Sequence, residues 1–275
     1  MQRYAAERFL YRLGESPHQQ RFILKGAMLL ALWGGSLYRA TRDLDLTGYT
    51  KDDPAGLVAI MREICAVPCL ADGLGFETET IEVEPIRDKE EYHGFRVKLR
   101  ALLGTARIRL QIDVGFGDSV EPPAREEEYP TLLDGPAPRV RAYPREVVVA
   151  EKLHAMVVLG EGNSRLKDFY DLYVLSHQFS FEGERLARAI VATFEHRRGE
   201  ISAELPVALS PRFYADESRA SRWRTYLTRD QLPGAPADFS AVGESLQRFL
   251  SPPWRALADR EVFRRAWAPG GGPWQ

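Results

Sequence analysis

The 275-residue sequence predicts a mixed α/β (α+β) fold: a sheet-built domain over about residues 1–142, then a mainly helical domain over about 143–275. Three observations predict it. Residues 94–100 and 106–114 alternate apolar and polar side chains strictly around a Gly104-Thr105 turn, as two half-buried strands of a hairpin do. A short apolar run, Phe22 to Leu24, meets Lys25-Gly26 and then a row of helix formers to Trp33, which reads as strand, turn and helix. From Pro144 onward the chain reads as successive helices.

In chain order, residues 2–13 read as an amphipathic helix with Phe9, Leu10 and Leu13 on its apolar side, and 14–18 as a turn. Gly34-Gly35 ends the helix after the Lys25-Gly26 turn. Arg39 to Leu46 reads as a loop entering a short strand. Asp52-Asp53-Pro54 starts a helix with proline just inside, running to about Val67 and burying Leu57, Ile60, Met61 and Ile64. Residues 76–86 read as a strand. In the hairpin, Phe95, Val97 and Leu99 face inward, and Arg96, Lys98 and Arg100 outward. On the second strand Ile108, Leu110, Ile112 and Val114 form the core face, and Arg107, Arg109, Gln111 and Asp113 the other. Residues 121–138, acidic and proline-rich, read as a surface loop, and 140–143 as a short strand. Helices are expected at 144–159, broken by Gly160 and Gly162, and at 164–177, 182–196, 215–228 and 239–250. The tail from 268 to 275 is expected to be flexible.

The net charge is −2 and the sequence pI about 6.3. That balance does not advertise a nucleic-acid binder, though local patches rather than net charge set the field a ligand meets. No apolar run approaches bilayer-spanning length, and residues 1–8 lack the apolar core of a secretory signal. Cys65 and Cys69 stand four apart on an expected helix, a spacing poorly directed for a disulfide. They read as two reduced thiols of a cytoplasmic protein with no membrane partner.

The candidate chemistry centres on Asp43 and Asp45. Two apart on a strand, they share one face while Leu44 and Leu46 share the other. Adjacent bare carboxylates repel, and a divalent cation such as Mg²⁺ relieves that conflict; an ordinary solvated pair is the competing reading. Lys25-Gly26-Ala27, before a helix start, suits phosphate, or equally a glycine that lets a helix pack close to a strand.

Leu24-Lys25-Gly26-Ala27 followed by Arg39-x-Thr41-x-Asp43-x-Asp45 resembles the AbiEii/AbiGii toxin group of the DNA-polymerase-β-like nucleotidyltransferases, which includes the MenT toxins. The likeness runs through roughly residues 20–178. It implies a Mg²⁺-dependent enzyme, commonly the toxin of a type IV toxin–antitoxin pair. Such an enzyme would transfer nucleotides from an NTP to RNA, in particular a tRNA 3′ end, and would have a cognate antitoxin. It implies a metal cradle of Asp43, Asp45 and Asp113 and a nucleotide site at Lys25, Gly26, Ala27 and Thr41. It also matches Lys152 and Asp168 to the family's later motifs. One departure is Ala27, which carries no hydroxyl where the superfamily has glycine or serine. The Gly34-Gly35-Ser36 triplet stands too near Asp43 to replace it.

Alternatives remain beside these assignments. Lys152 and Asp168 also suit a helix-to-helix salt bridge, Lys167 is a substitute for Lys152, Asp171 suits a cap on that network, and His154 suits packing. Arg219, Arg222, Arg224 and Arg229, around Trp223 and Tyr226, read either as an RNA-binding surface or as a solvated helix face. The Thr41 hydroxyl suits substrate contact, regulation by phosphorylation, or a bond to its own backbone. Rival functions are transfer to a small molecule or protein side chain, and a degenerate transferase acting as a binding module.

Overall fold

The structure is a computed structural model and describes residues 1–34, 41, 43–49, 53–69, 72–86, 94–232 and 234–275. It is mixed α/β and divides into two units, Met1–Asp118 with Ala124–Tyr143, and Ser119–Pro123 with Pro144–Gln275.

The first unit opens with helix α1 (Gln2–Glu15), then strand β1 (Phe22–Lys25), short helix α2 (Met28–Leu32), strand β2 (Asp43–Gly48) and helix α3 (Pro54–Ala66). Asp53 caps α3, its carboxylate accepting from the Gly56 amide at 2.6 Å, with Pro54 in the first turn. Strands β3 (Leu74–Pro85), β4 (Gly94–Leu103) and β5 (Ala106–Phe116) follow, then β6 (Arg125–Glu128) and β7 (Arg139–Ala142). They form one sheet in the order β3-β4-β5-β2-β1-β7-β6. The β2–β5 and β1–β7 pairs are parallel and the others antiparallel.

Alternation decides which face is inside. Leu44, Leu46, Val97, Leu99, Leu110, Ile112 and Val114 are all buried, and α3 buries Leu57, Ile60, Met61 and Ile64 as its spacing predicts. Helix α1 buries Phe9, Leu10 and Leu13, but also Glu7, Arg8 and Arg12. These charges are matched within the unit. Arg12 pairs with Asp72 at 2.7 Å and donates to the Leu74 carbonyl, while Glu7 accepts from the Leu132 amide. They pin two loops that apolar contacts alone would leave loose.

The acidic stretch 121–138 corrects the expected irregular loop, because Arg125–Glu128 is an edge strand. All four of its side chains are exposed, so no apolar alternation marks it. Instead Glu126 and Glu128 face Arg141 and Arg139 across the antiparallel pair. The Arg141 guanidinium donates to the Gln20 carbonyl and the Tyr49 hydroxyl, and Glu126 accepts from Gln19, so the strand is held by its backbone ladder, and its charge discourages pairing with other chains.

The second unit is built from α4 (Arg145–Leu159), α5 (Leu166–Gln178), a two-residue strand β8 (Phe181–Glu182), α6 (Gly183–His196), the turn helix α7 (Pro211–Tyr214), α8 (Glu217–Arg229) and α9 (Phe239–Ala258). Strand β9 (Ala266–Trp267) pairs with β8. Its core is aromatic: Phe169 stacks on Phe213, and Phe239 packs against Phe169, Tyr214 and Trp223. At Gly243 of α9 any β-carbon would collide with the Tyr214 ring, so glycine is required for that contact.

Two expectations are corrected here. Helix α9 runs on to Ala258 through Pro252 and Pro253, beyond the expected end at 250. A proline inside a helix costs about 3 kcal/mol. Burial of Pro253 and Trp254 offsets it, and the Trp254 indole donates to the Ser202 and Glu204 carbonyls. The tail is anchored rather than loose. Trp274 is buried against Phe249 and Trp267, its indole donates to the Phe249 carbonyl at 2.8 Å, and Gln275 exchanges backbone bonds with Ala266. Among the described residues no helix is long and apolar enough to cross a membrane.

Candidate active site

On β2, Asp43 is exposed and Asp45 half-buried, on the face opposite buried Leu44 and Leu46. In the parallel β2–β5 pair Asp45 stands level with Asp113, and Asp43 level with Gln111. Antiparallel β4 sets Arg96 directly across from Asp113. The guanidinium grips that carboxylate at two points, 2.9 and 2.7 Å, and Gln111 adds a third bond at 3.3 Å. The bonds to Asp113 raise the Arg96 pKa against the opposing effect of burial.

Gly26 follows β1 with φ +72°, a conformation that favours glycine, and a β-carbon there would collide with the Asp45 carboxylate. The backbone therefore closes on Asp45 to within a distance only glycine permits. Asp43 and Asp45, two hard oxygen donors on one face, would suit a divalent cation that takes its other ligands from water or phosphate. Asp113 stands beside them with its carboxylate held by Arg96. Among the described residues no three His, Cys, Asp or Glu side chains converge as a metal-holding group. Asp43 and Asp45 on β2 and Asp113 on β5 thus stand on neighbouring strands, and the Asp113 side chain bonds Arg96.

Lys25, expected in the phosphate loop, is the last residue of β1 and has a specific seat. Its ammonium donates to Asp118 Oδ2 at 2.6 Å. The same oxygen accepts from Thr47 at 2.7 Å and Tyr143 at 3.1 Å, and Thr47 also bonds the Tyr143 hydroxyl. Asp118 is buried, and a β-carbon on Gly115 would stand 3.0 Å from the lysine nitrogen, so Gly115 clears its path. Sequence reasoning missed Asp118. The available signal was Lys25 itself: a lysine ending a buried strand needs a counter-charge, and Gly117-Asp118 directly follows β5.

Ala27 is buried and right-handed at the start of the five-residue α2. The Thr41 hydroxyl donates to the Asp43 carbonyl at 3.2 Å, the local backbone bond considered from sequence. Gly35, Ser36, Arg39 and Asp52, each given a part in the sequence reading, lie outside the described residues.

The second unit gathers another polar cluster. Lys152 of α4 meets Asp168 at 2.7 Å and Asp171 at 2.8 Å, both on α5 and spaced one turn apart. Arg165 closes on Asp168 from its other side at 2.7 Å. Asp168 and Asp171 are buried. Burial pushes the Asp168 pKa up, but the Lys152 and Arg165 charges outweigh it, so the net shift is downward and the carboxylate stays ionised. Lys167 is exposed. His154 is buried with its ring edge-on to Phe194, and burial, with Arg197 adding, pushes its pKa down to about 4. The anticipated arginine surface splits: Trp223 is buried, Arg219 reaches the Glu161 carbonyl and covers Phe213, and Arg222 and Arg224 stay exposed.

The profile of the family described as "Nucleotidyl transferase AbiEii toxin, Type IV TA system" matches residues 8–259. Comparison with curated proteins gives no match. Among solved structures, JHP933 from Helicobacter pylori is similar at 16% identity and a TM-score of 0.51, over 92% of this chain and 90% of that one. A crystal structure of a candidate nucleotidyltransferase from H. pylori aligns at 15% identity and a TM-score of 0.48, over 94% and 95%. The likeness to JHP933 bears on the fold alone. The family match spans nine-tenths of the chain and includes both Asp43-x-Asp45 and Lys152 with Asp168. This chain belongs to the AbiEii nucleotidyltransferase toxins of type IV toxin–antitoxin systems.

Proposed function

We propose that the protein transfers a nucleotide from an NTP to an RNA acceptor, with a tRNA 3′ end as the first candidate, and that Mg²⁺ held by Asp43 and Asp45 supports the step. The observation that carries this reading is the Asp43–Asp45 face of β2 with the Gly26 backbone closed against Asp45. The cation, when bound there, would neutralise phosphate charge and lower the cost of deprotonating the attacking hydroxyl. Lys25, held by Asp118, fixes a positive charge at the end of β1 for the nucleotide's phosphates. Asp113, gripped by Arg96 and level with Asp45, positions the strand face rather than acting as an equal ligand. In the second unit Lys152 is held in place by Asp168 and Asp171, an arrangement suited to fixing its ammonium for a phosphate group. A cognate antitoxin, expected of a type IV pair, would neutralise this activity.

The test is incubation of the purified protein with labelled NTPs, with and without Mg²⁺, against total RNA, total protein and small-molecule acceptors. Label entering RNA 3′ ends only with the cation present is expected. Asp43→Ala and Asp45→Ala should each lower that incorporation about a hundred- to a thousandfold while melting normally, a loss on the scale of removing a main electrostatic contact in an active site. Label in protein or a small molecule would replace the acceptor. Full incorporation by a folded Asp45→Ala protein would remove the metal assignment.

A further inference from the structure

We propose that the cleft between the start of α5 and the exposed face of α8 binds the phosphodiester chain of the acceptor, an assignment that rests on the RNA reading above. The cleft encloses about 500 Å³ and is lined by Arg165, Lys167, Ser221, Arg222, Thr225 and Arg229 among others, with no carboxylate side chain among the described residues of its wall. Four cations and several hydroxyls without a lining acid make a surface for anions. Arg229 is matched by Asp230 at 2.7 Å, and Lys152 with Arg165 balances Asp168 with Asp171. The wall itself presents four cationic side chains, and its Lys167 and Arg222 are exposed to an incoming ligand. The α5 N-terminus adds its positive end to the same wall.

The shape and the chemistry point to a chain rather than a single ion. The cations come from two helices, so successive phosphates can be met from either wall. Tyr226 forms part of the lining with its ring nearly buried, giving an apolar edge against which a sugar or base can rest. Arg165 belongs to both places: it lines the cleft and closes on Asp168 beside Lys152. A strand lying in the cleft would thus run up to the Lys152 cluster. Of the face first suggested by sequence, Arg219, Arg222, Arg224 and Arg229 around Trp223 and Tyr226, the cleft keeps Arg222, Arg229 and Tyr226, while Arg219 is spent on the Glu161 carbonyl and Phe213.

The experiment measures binding of a short fluorescein-labelled single-stranded RNA by anisotropy across salt concentrations, without NTP. Wild type is compared with Lys167→Glu/Arg222→Glu and with Arg264→Glu, a control at a 76% exposed arginine elsewhere in the unit. The double variant should bind about tenfold or more weakly. The slope of its log K against log salt should be shallower by roughly 1.4, at about 0.7 for each phosphate no longer neutralised. The control should match wild type. An unchanged slope in the double variant, while wild type binds and labels RNA, would overturn the cleft and leave the RNA reading intact. Failure of wild type to bind or label RNA would overturn that reading and the cleft with it. Inorganic triphosphate is the second probe: an equal loss of triphosphate affinity in the double variant would make the cleft a nucleotide-phosphate site and overturn the proposal.

Discussion

Lys25 and Asp118 show how a single buried charge can be set by the residues around it. The ammonium is largely buried and the carboxylate almost wholly so, so neither can rely on water. Breaking a buried pair by removing one partner typically costs about 3–5 kcal/mol, because the other charge is left uncompensated. Asp118→Asn should therefore lower the urea midpoint substantially even though Thr47 and Tyr143 can still donate to the remaining oxygen. Lys25→Met combined with Asp118→Asn should recover much of that stability and none of the transfer activity. A double variant no more stable than Asp118→Asn alone would show that the network, not the charge pair, is what matters. Lys152 obeys the same logic with two acids. Lys152→Met leaves Asp168 and Asp171 facing each other with Arg165 on the far side of Asp168, and adding Asp171→Asn should restore part of the lost stability.

Within an element, position on a strand decides which charges meet. The β4–β5 hairpin was legible because alternation over about ten residues allows one register around Gly104, and that register puts Arg96 opposite Asp113. The Arg96 grip on Asp113 was not legible: the residues were assigned correctly to outward faces, but alternation says nothing about which outward side chain claims a carboxylate. Asp113→Asn removes one charge from that pair while leaving Asp43 and Asp45 in place. Its transfer rate should fall about 10–100-fold, the range for residues that orient a site, and less than that of Asp45→Ala. Steady-state rates at saturating Mg²⁺ measure the order; a loss at Asp113 equal to that at Asp45 would make Asp113 a full ligand. Strand β6 escaped the sequence reading for the opposite reason. Arg-Glu-Glu-Glu has no apolar residue, and its ladder partner β7 lies beyond an intervening loop, so no local alternation marks it. Helix α9 escaped because Pro252-Pro253 is a local stop signal that burial of Trp254 overrides.

For the whole molecule, local patterns gave the α/β class and most element positions, whereas bonds between distant residues set the site's charges and the anchored tail. Asp118 serves Lys25 across 93 positions, and Trp274 reaches Phe249 across 25. Global stability against pH reads such bonds together, and its sign follows from the shifts. Burial, with Arg197 beside it, moves His154 down from 6.5 to about 4, so the folded protein keeps the ring neutral where the unfolded chain takes up a proton. The resulting stability is fully present above pH 6.5 and is lost as the pH falls toward 4. His177 is also shifted down by burial and contributes in the same direction. Asp168 is lowered, its burial outweighed by Lys152 and Arg165; Asp72 is lowered as well, its burial outweighed by the bond from Arg12. Their contribution is present above the usual carboxylate pKa of 3.8 and disappears below it. Acid should thus weaken the fold in two stages, histidines first and carboxylates second. His154→Leu keeps an apolar side chain against Phe194 and removes the titrating group. Its melting temperature should fall less steeply than that of wild type between pH 6.5 and about 4.5, and the two should decline together once the carboxylates protonate. Thermal melts at half-unit pH intervals measure both arms. A His154→Leu slope equal to that of wild type in the upper window would assign the first stage to another group and leave His154 with packing alone.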